Sequence, residues 1–132
     1  MGFREARLIL DTNALSAAAE ENAAVIEILA SAQRLAIPVV VIGEYRYGIA
    51  QSRHGSKYRQ WLDNLIDDCQ VLEISNETTH HYAAIGVELR QAGTPIPSND
   101  LWIAALSRQH KLPILSRDRH FDAVAGVERL NW

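Results

Sequence analysis

A short apolar run that stops abruptly at polar residues constrains this chain more than any other stretch. Residues 8–10 read Leu-Ile-Leu, and residues 11–13 read Asp-Thr-Asn. The apolar residues are typical of a short buried strand, so the polar residues fall where that strand ends. Because open parallel α/β sheets bind ligands just outside the carboxyl ends of their strands, the carboxylate of Asp11 is a candidate for chemistry.

Apolar periodicity along the rest of the chain predicts strands that alternate with helices. The predicted strands cover residues 8–10, 37–42, 71–74, 113–116 and 127–130. Residues 14–19 are predicted to form a short helix or a turn, and Asn22 can cap a helix after them. A further helix opens directly after residue 42 with Glu44 in its first turn, and an apolar stripe from Tyr58 to Leu65 predicts another. The last two predicted helices are a long one capped by Ser75 or Asn76 and ended by Gly93, and one from its cap Ser98 to about His110. Such alternation predicts a mainly parallel, doubly wound sheet of about five short strands.

Length and composition are those of one ordinary globular domain. The chain has 132 residues, of which 48% are hydrophobic and 22% charged, so we expect a single domain over residues 1–132. The lone Cys69 cannot form an internal disulfide. No apolar run reaches the roughly 20 residues of a membrane helix, and the first strand begins too early for a signal peptide. We therefore expect no membrane partner and a cytoplasmic protein.

Three further acids are placed as Asp11 is. Glu44 and Asp118 follow predicted strands, and Asp100 lies in the first turn of a predicted helix. Each has an ordinary alternative, because Asp100 can serve the helix dipole, Glu44 can be a solvated helix residue and Asp118 can cap a turn. Taken together, the four acids predict a carboxylate cluster at one edge of the sheet.

Such a cluster requires a cation or protonation, because two carboxylates about 4 Å apart repel by about 4 kcal/mol at an effective dielectric near 20. Carboxylate ligands suit Mg²⁺ or Mn²⁺, and the reaction natural to such a site is phosphodiester hydrolysis. The adjacent pair His80-His81 lacks the ligand spacing of a zinc site. The net charge of −3 counts mildly against a nucleic-acid binder. If four of the acids are gathered in one pocket around metal ions, however, the rest of the surface is slightly basic.

Small polar residues beside the acids are candidate supporting groups. Asn13, Asn99 and Ser116 could orient a carboxylate or hold a water, with local turn capping as the alternative. Thr12 is assigned to the turn alone.

Four segments in order resemble the motifs of PIN-domain nucleases, and among them most closely the VapC toxins of bacterial type II toxin–antitoxin pairs. These segments read LDTN at residues 10–13, GEYRYGI at 43–49, IPSNDLWIAA at 96–105 and LSRDRHF at 115–121. The resemblance spans nearly the whole chain, and the run NDLWIAA is its most specific part.

The resemblance implies an α/β/α three-layer PIN fold and endonucleolytic cleavage of RNA, with Mg²⁺ or Mn²⁺ as cofactor. It implies Asp11, Glu44, Asp100 and Asp118 as catalytic and metal-ligating residues. Ser116 stands where the family has Ser or Thr, and Asn13 where it has a supporting amide. The implied partners are RNA, a second copy of the chain and a cognate VapB-like antitoxin.

Basic residues near these motifs are candidates for phosphate contacts, namely Arg46, Arg117 and Arg119, with solvated surface as the alternative. Asp122 is a further candidate ligand.

Two other functions are weighed against the nuclease. A phosphoacceptor or aspartyl phosphatase domain would need a late Lys or a second Asp, but the chain has Arg117 and Asn13 at those places. A non-catalytic module that binds a metal and a partner stays open.

Overall fold

Helices separate the strands throughout the part of the chain that the computed structural model describes, residues 7–132, with two helices after each of the first three strands. The strands are β1 (Arg7–Leu10), β2 (Arg34–Pro38), β3 (Gln70–Leu72), β4 (Ile114–Leu115) and β5 (Arg129–Leu130). The helices are α1 (Thr12–Ala19), α2 (Ala23–Ser31), α3 (Val39–Ala50), α4 (Gly55–Asp67), α5 (Asn76–Ala92) and α6 (Ser98–His110), and a 3₁₀ helix spans Arg119–Ala123. This alternation confirms the predicted α/β class.

The five strands form one sheet in the order β3-β2-β1-β4-β5, and every neighbouring pair is parallel. The predicted parallel sheet is therefore confirmed, with β1 at its centre and β3 at an edge. Ile9 lies opposite Ile114, and Leu10 lies opposite Leu115. Because β1 and β4 are neighbours that run the same way, Asp11 and Ser116 follow them at the same edge of the sheet.

Both faces of the sheet are covered. Leu8, Ile9 and Leu10 point alternately to opposite faces, and their exposed fractions are 3%, 0% and 0%. A strand that is buried on both sides needs a layer of helices above and below it. The result is the expected three-layer arrangement, with the core between the sheet and its helices.

The second strand is shorter than the sequence pattern predicts. The predicted strand over residues 37–42 is wrong beyond Pro38, because Val39 begins α3. Pro38 is the last residue of β2 and lies opposite Leu72 of β3. Extending the register between β1 and β2 by two residues places Pro38 level with Asp11, where β1 has already ended. A strand that continued to Ile42 would extend past the ends of β1 and β3 and would have no neighbouring strand to pair with. In the helix, Val41 and Ile42 are buried instead.

This early start of α3 also moves Glu44. The prediction that Glu44 lies in the first turn of its helix is wrong, since it is the sixth residue of α3. The carboxylate still approaches the carboxyl edge of the sheet, because α3 leaves that edge directly from β2.

The later helix boundaries follow the predicted capping residues with one exception. Ser75 caps α5 through its hydroxyl, and Gly93 ends it in the left-handed region at φ 73°. Asp100 lies in the first turn of α6 as predicted, but Ser98 is the first helical residue and Pro97 takes the capping position. Proline fits there because its φ of −58° already suits the entry to a helix.

Partial burial raises the pKa of the Cys69 thiol to about 11, which disfavours the nucleophilic thiolate. Among residues 7–132, no helix has the length and apolar character to span a membrane.

Candidate functional site

Side chains from four separate elements surround one cavity at the carboxyl edge of the sheet. The cavity has a volume of about 430 Å³. Its lining residues are Asp11, Thr12, Asn13, Ser16, Glu44, Asp100 and Asp118. Asp11 follows β1, Glu44 comes from α3, Asp100 opens α6 and Asp118 follows β4. The structure therefore brings all four predicted acids together.

Asp11 is the most deeply placed of these acids, with an exposed fraction of 4%. Its Oδ1 accepts a hydrogen bond from the backbone N–H of Thr12 at 2.8 Å. Its Oδ2 accepts one from Ser116 Oγ at 2.6 Å. Both carboxylate oxygens are therefore held by the two strand ends that meet at this point.

Ser116 and Asn13 connect the β1 and β4 ends further. Ser116 Oγ accepts hydrogen bonds from the backbone N–H of Asp118 at 2.9 Å and from Asn13 Nδ2 at 3.3 Å. Asn13 Oδ1 accepts one from the backbone N–H of Arg117 at 3.2 Å. These bonds fix the loop that carries Asp118. Ser116 and Asn13 therefore do more than cap a local turn.

Glu44 is held by two neighbours from other elements. Thr12 Oγ1 donates to Glu44 Oε1 at 3.0 Å, and Asn99 Nδ2 donates to Glu44 Oε2 at 2.8 Å. The assignment of Thr12 to turn chemistry alone was wrong, because its hydroxyl orients an acid that lies 32 positions away. Only the position of Thr12 beside Asp11 hinted at this contact.

His120 is a site residue that sequence reasoning missed. Its Nδ1 lies 2.7 Å from Asp100 Oδ2 and 3.0 Å from Asp118 Oδ1. Ligand atoms of these three residues all lie within 4.8 Å of one another. The available signal was the spacing, because His120 follows Asp118 by two residues at the end of the fourth motif.

Burial and crowding disfavour negative charge in this cavity. Burial raises the pKa of Asp11 above its usual range, against the lowering effect of its bonds to Ser116 and Thr12. Burial also raises the pKa of Asp100 to about 6, with Asp118 and Asp11 adding to the increase and His120 opposing it. The bond to Asp100 raises the pKa of His120 in turn. The carboxylates are thus a site where a cation would be stabilised.

The candidate phosphate contacts lie in different settings. Arg46 is ion-paired with Asp63 at 3.1 Å on the exposed side of α3. Arg117 stacks over the ring of Trp132, with its guanidinium carbon 4.6 Å from the ring centroid. Arg119 is exposed in the 3₁₀ helix beside Asp118. Arg117 and Arg119 therefore flank Asp118 in the chain, whereas Arg46 joins α3 to α4.

Asp122 is engaged away from the four acids. Both of its carboxylate oxygens accept hydrogen bonds from Arg129, at 2.8 and 3.0 Å. Arg129 also donates to the backbone carbonyl of Ser116 at 3.1 Å. This pair fastens the 3₁₀ helix to β5 and the end of β4.

Comparison with known proteins gives the same family from sequence and from structure. The PIN domain profile matches residues 8–127. Ribonuclease VapC2 of Rickettsia felis is 26% identical over 108 residues, which cover 81% of each chain. Ribonuclease VapC4 of Mycobacterium tuberculosis is 31% identical over 94 residues, covering 70% of this chain and 72% of that protein.

A solved structure agrees over almost the full length. It is VapBC-5 of Mycobacterium tuberculosis, a member of the VapBC family of toxin-antitoxin systems, with a TM-score of 0.75 and 26% identity. The match covers 96% of this chain and 99% of that one. The family profile, the sequence relatives and the shared fold together establish that this chain belongs to the PIN-domain family, among its VapC members.

Proposed function

We propose that this chain is a metal-dependent endoribonuclease and the toxin of a toxin–antitoxin pair. The observation that carries the proposal is the convergence of Asp11, Glu44, Asp100 and Asp118 on one cavity. Relatives named as ribonucleases support the reaction, and a neighbour described as a toxin–antitoxin complex supports the role.

The donor set fits Mg²⁺ or Mn²⁺. Hard carboxylate oxygens are the ligands that these ions prefer, and the four acids supply them without a cysteine among the cavity-lining residues. Burial of Asp11 and Asp100 makes their uncompensated charge unfavourable, as their raised pKa values indicate. A bound divalent cation would compensate these buried negative charges, so the acids that are unfavourable without it would form its binding site.

The chain's own residues divide the work around that cation. We assign Asp11, Glu44, Asp100 and Asp118 to holding it. When bound, a divalent cation neutralises phosphate charge and makes a water more acidic. Ser116 and Asn13 hold Asp11 and the Asp118 loop in place, while Thr12 and Asn99 hold Glu44.

The substrate and partners follow from the same proposal. We assign Arg117 and Arg119 to phosphates of an RNA strand that enters the cavity, and give Arg46 a lesser part because Asp63 occupies it. We further propose that the chain acts as one PIN domain and as a homodimer, in the cytoplasm where RNA is available, and that a VapB-like antitoxin inhibits it.

The direct test measures cleavage of labelled RNA by the purified chain and by an Asp100→Asn variant. We choose Asp100 for the substitution because both oxygens of Asp11 accept hydrogen bonds, and an amide at Asp11 would disturb them. We expect Mg²⁺ or Mn²⁺ to restore cleavage after chelation. We expect Asp100→Asn to lower it by more than about 100-fold, beyond the 10–100-fold effect of residues that only orient a ligand.

The control for this test is Asp67→Asn, the same chemical change at an exposed position of α4. It should cleave as the unchanged protein does. Cleavage by Asp100→Asn at the unchanged rate would contradict the proposal. Metal binding without any cleavage would favour the non-catalytic binding module.

The toxin role needs a separate experiment in cells. We expect expression of the chain alone to arrest growth, and co-expression with the product of the neighbouring gene to relieve the arrest. Mapping of new RNA 5′ ends under both conditions would identify the cleaved RNA. Growth arrest that persists in Asp100→Asn would show that toxicity does not come from RNA cleavage.

A further inference from the structure

The imidazole of His120 lies beside two of the acids that we assign to the cation, Asp100 and Asp118. Its Nδ1 is 2.7 Å from Asp100 Oδ2 and 3.0 Å from Asp118 Oδ1. These are hydrogen-bond distances in the metal-free site, and the ligand atoms of all three residues lie within 4.8 Å of one another, close enough to share one ion.

Backbone hydrogen bonds hold the His120 segment beside Asp118, a residue that lines the cavity. The N–H of His120 donates to Asp118 Oδ1 at 2.9 Å, and the N–H of Asp118 donates to Ser116 Oγ at 2.9 Å. Ser116 is buried and bonded to Asp11. His120 is thus linked to the most deeply buried acid of the site through a short chain of hydrogen bonds.

His120 is more exposed than Asp100, so its imidazole lies on the solvent side of the acid that it contacts. The side chain of His120 is 49% exposed, whereas that of Asp100 is 14% exposed. In the metal-free site Nδ1 shares a proton with the Asp100 carboxylate. A bound cation would take the place of this proton, with the imidazole protonated on Nε2 and its Nδ1 lone pair on the ion.

We propose that His120 is a further ligand of the cation, together with Asp100 and Asp118, and that it makes the site prefer Mn²⁺ to Mg²⁺. This inference rests on the proposed metal-dependent function. An imidazole nitrogen is a softer ligand than a carboxylate oxygen, and Mn²⁺, a transition-metal ion, accepts it more readily than Mg²⁺, which binds through oxygen ligands and water. An all-carboxylate site would discriminate between the two ions much less.

Pulsed electron paramagnetic resonance of the Mn²⁺-loaded full chain tests the nitrogen directly. We expect a ¹⁴N coupling from a directly bound imidazole. It should vanish in His120→Gln, which offers an oxygen instead of the ring nitrogen, and persist in His80→Gln, which makes the same change at an exposed position of α5. Absence of the coupling in the unchanged protein would overturn the proposal.

Calorimetry with Mn²⁺ alone and with Mg²⁺ alone tests the preference. We expect His120→Gln to weaken Mn²⁺ binding by about 10-fold or more, at least the loss seen when a group that only supports a ligand is removed, and to change Mg²⁺ binding by less than about threefold. Equal weakening of both ions would show instead that His120 positions Asp100 by a hydrogen bond, and would overturn the ligand role.

These outcomes are separable from failure of the proposed function. If the unchanged protein cleaves RNA with Mn²⁺ but shows no ¹⁴N coupling, the nuclease stands and the His120 proposal falls. If it neither binds Mn²⁺ nor cleaves RNA, both proposals fall. Far-ultraviolet circular dichroism of metal-free His120→Gln should match that of the unchanged protein, which would exclude misfolding as a cause.

Discussion

At the scale of single residues, one buried hydroxyl organises the site. Ser116 Oγ donates to Asp11 and accepts from the Asp118 N–H and from Asn13. The two acids that it touches come from β1 and β4, which are neighbours in the sheet. The position of Asp118 therefore depends on a residue that holds no cation itself.

Ser116→Ala is expected to lower both stability and metal affinity. The buried Asp11 Oδ2 and the partly buried Asp118 N–H would lose their partner, at a cost of about 1–3 kcal/mol in the free energy of unfolding. Urea unfolding measures this cost, and calorimetry should show metal binding weakened by about 10–100-fold. Ser31→Ala, at an exposed helix end, should change stability by less than about 0.5 kcal/mol. An equal effect of the two substitutions would contradict this account.

At the scale of elements, α3 carries Glu44 and must turn tightly into α4. Gly55 begins α4, and a Cβ there would lie 2.6 Å from the carbonyl oxygen of Ile49. Gly48 lies within α3, and a Cβ there would meet no atom within 4 Å. The first glycine is therefore required by close packing, and the second is not.

Alanine substitutions at these two glycines should act in opposite directions. Gly55→Ala forces the α3–α4 connection apart and should cost about 1–3 kcal/mol, as other overpacked positions do. Gly48→Ala should stabilise the protein by about 0.5–1 kcal/mol, because alanine is the better helix former. Urea unfolding of both variants checks the signs, and a destabilised Gly48→Ala would refute the second.

At the scale of the whole molecule, the fold gathers four acids at one edge of its sheet, where their negative charges lower the stability of the metal-free protein. At neutral pH the metal-free protein therefore carries at Asp100 a charge that burial and the neighbouring acids disfavour, and it does not carry this charge when Asp100 is protonated. For a carboxylate whose pKa is raised to about 6 from an ordinary 3.8, the folded state binds the proton more tightly. Its contribution to stability then falls as pH rises through that window.

Comparing metal-free melts of the unchanged protein and Asp100→Asn isolates this effect. At pH 7 the variant should melt higher, by about 3–5 °C, the shift that about 1 kcal/mol produces in a domain of this size. The difference should shrink as pH falls from 6 to 4, where the carboxyl becomes neutral. Saturating Mg²⁺ should raise the melting temperature of the unchanged protein and much less that of the variant. A difference that does not change with pH would point to another cause.

The sequence by itself predicted the parallel sheet, because the strand ending at Asp11 and the one ending at Ser116 carry local apolar patterns. It also predicted the ends of α5, since Ser75 and Gly93 act through nearby backbone. It predicted which acids to consider, because strand ends and helix starts are local features.

Only the tertiary structure decided where β2 stops and what Thr12 and His120 contact. Val39 to Ile42 carry β-branched side chains, yet they form a helix because no strand continues beside them past Asp11. The hydroxyl of Thr12 meets an acid 32 positions away, and His120 meets one 20 positions away. Such contacts depend on how whole elements pack, and no local propensity encodes them.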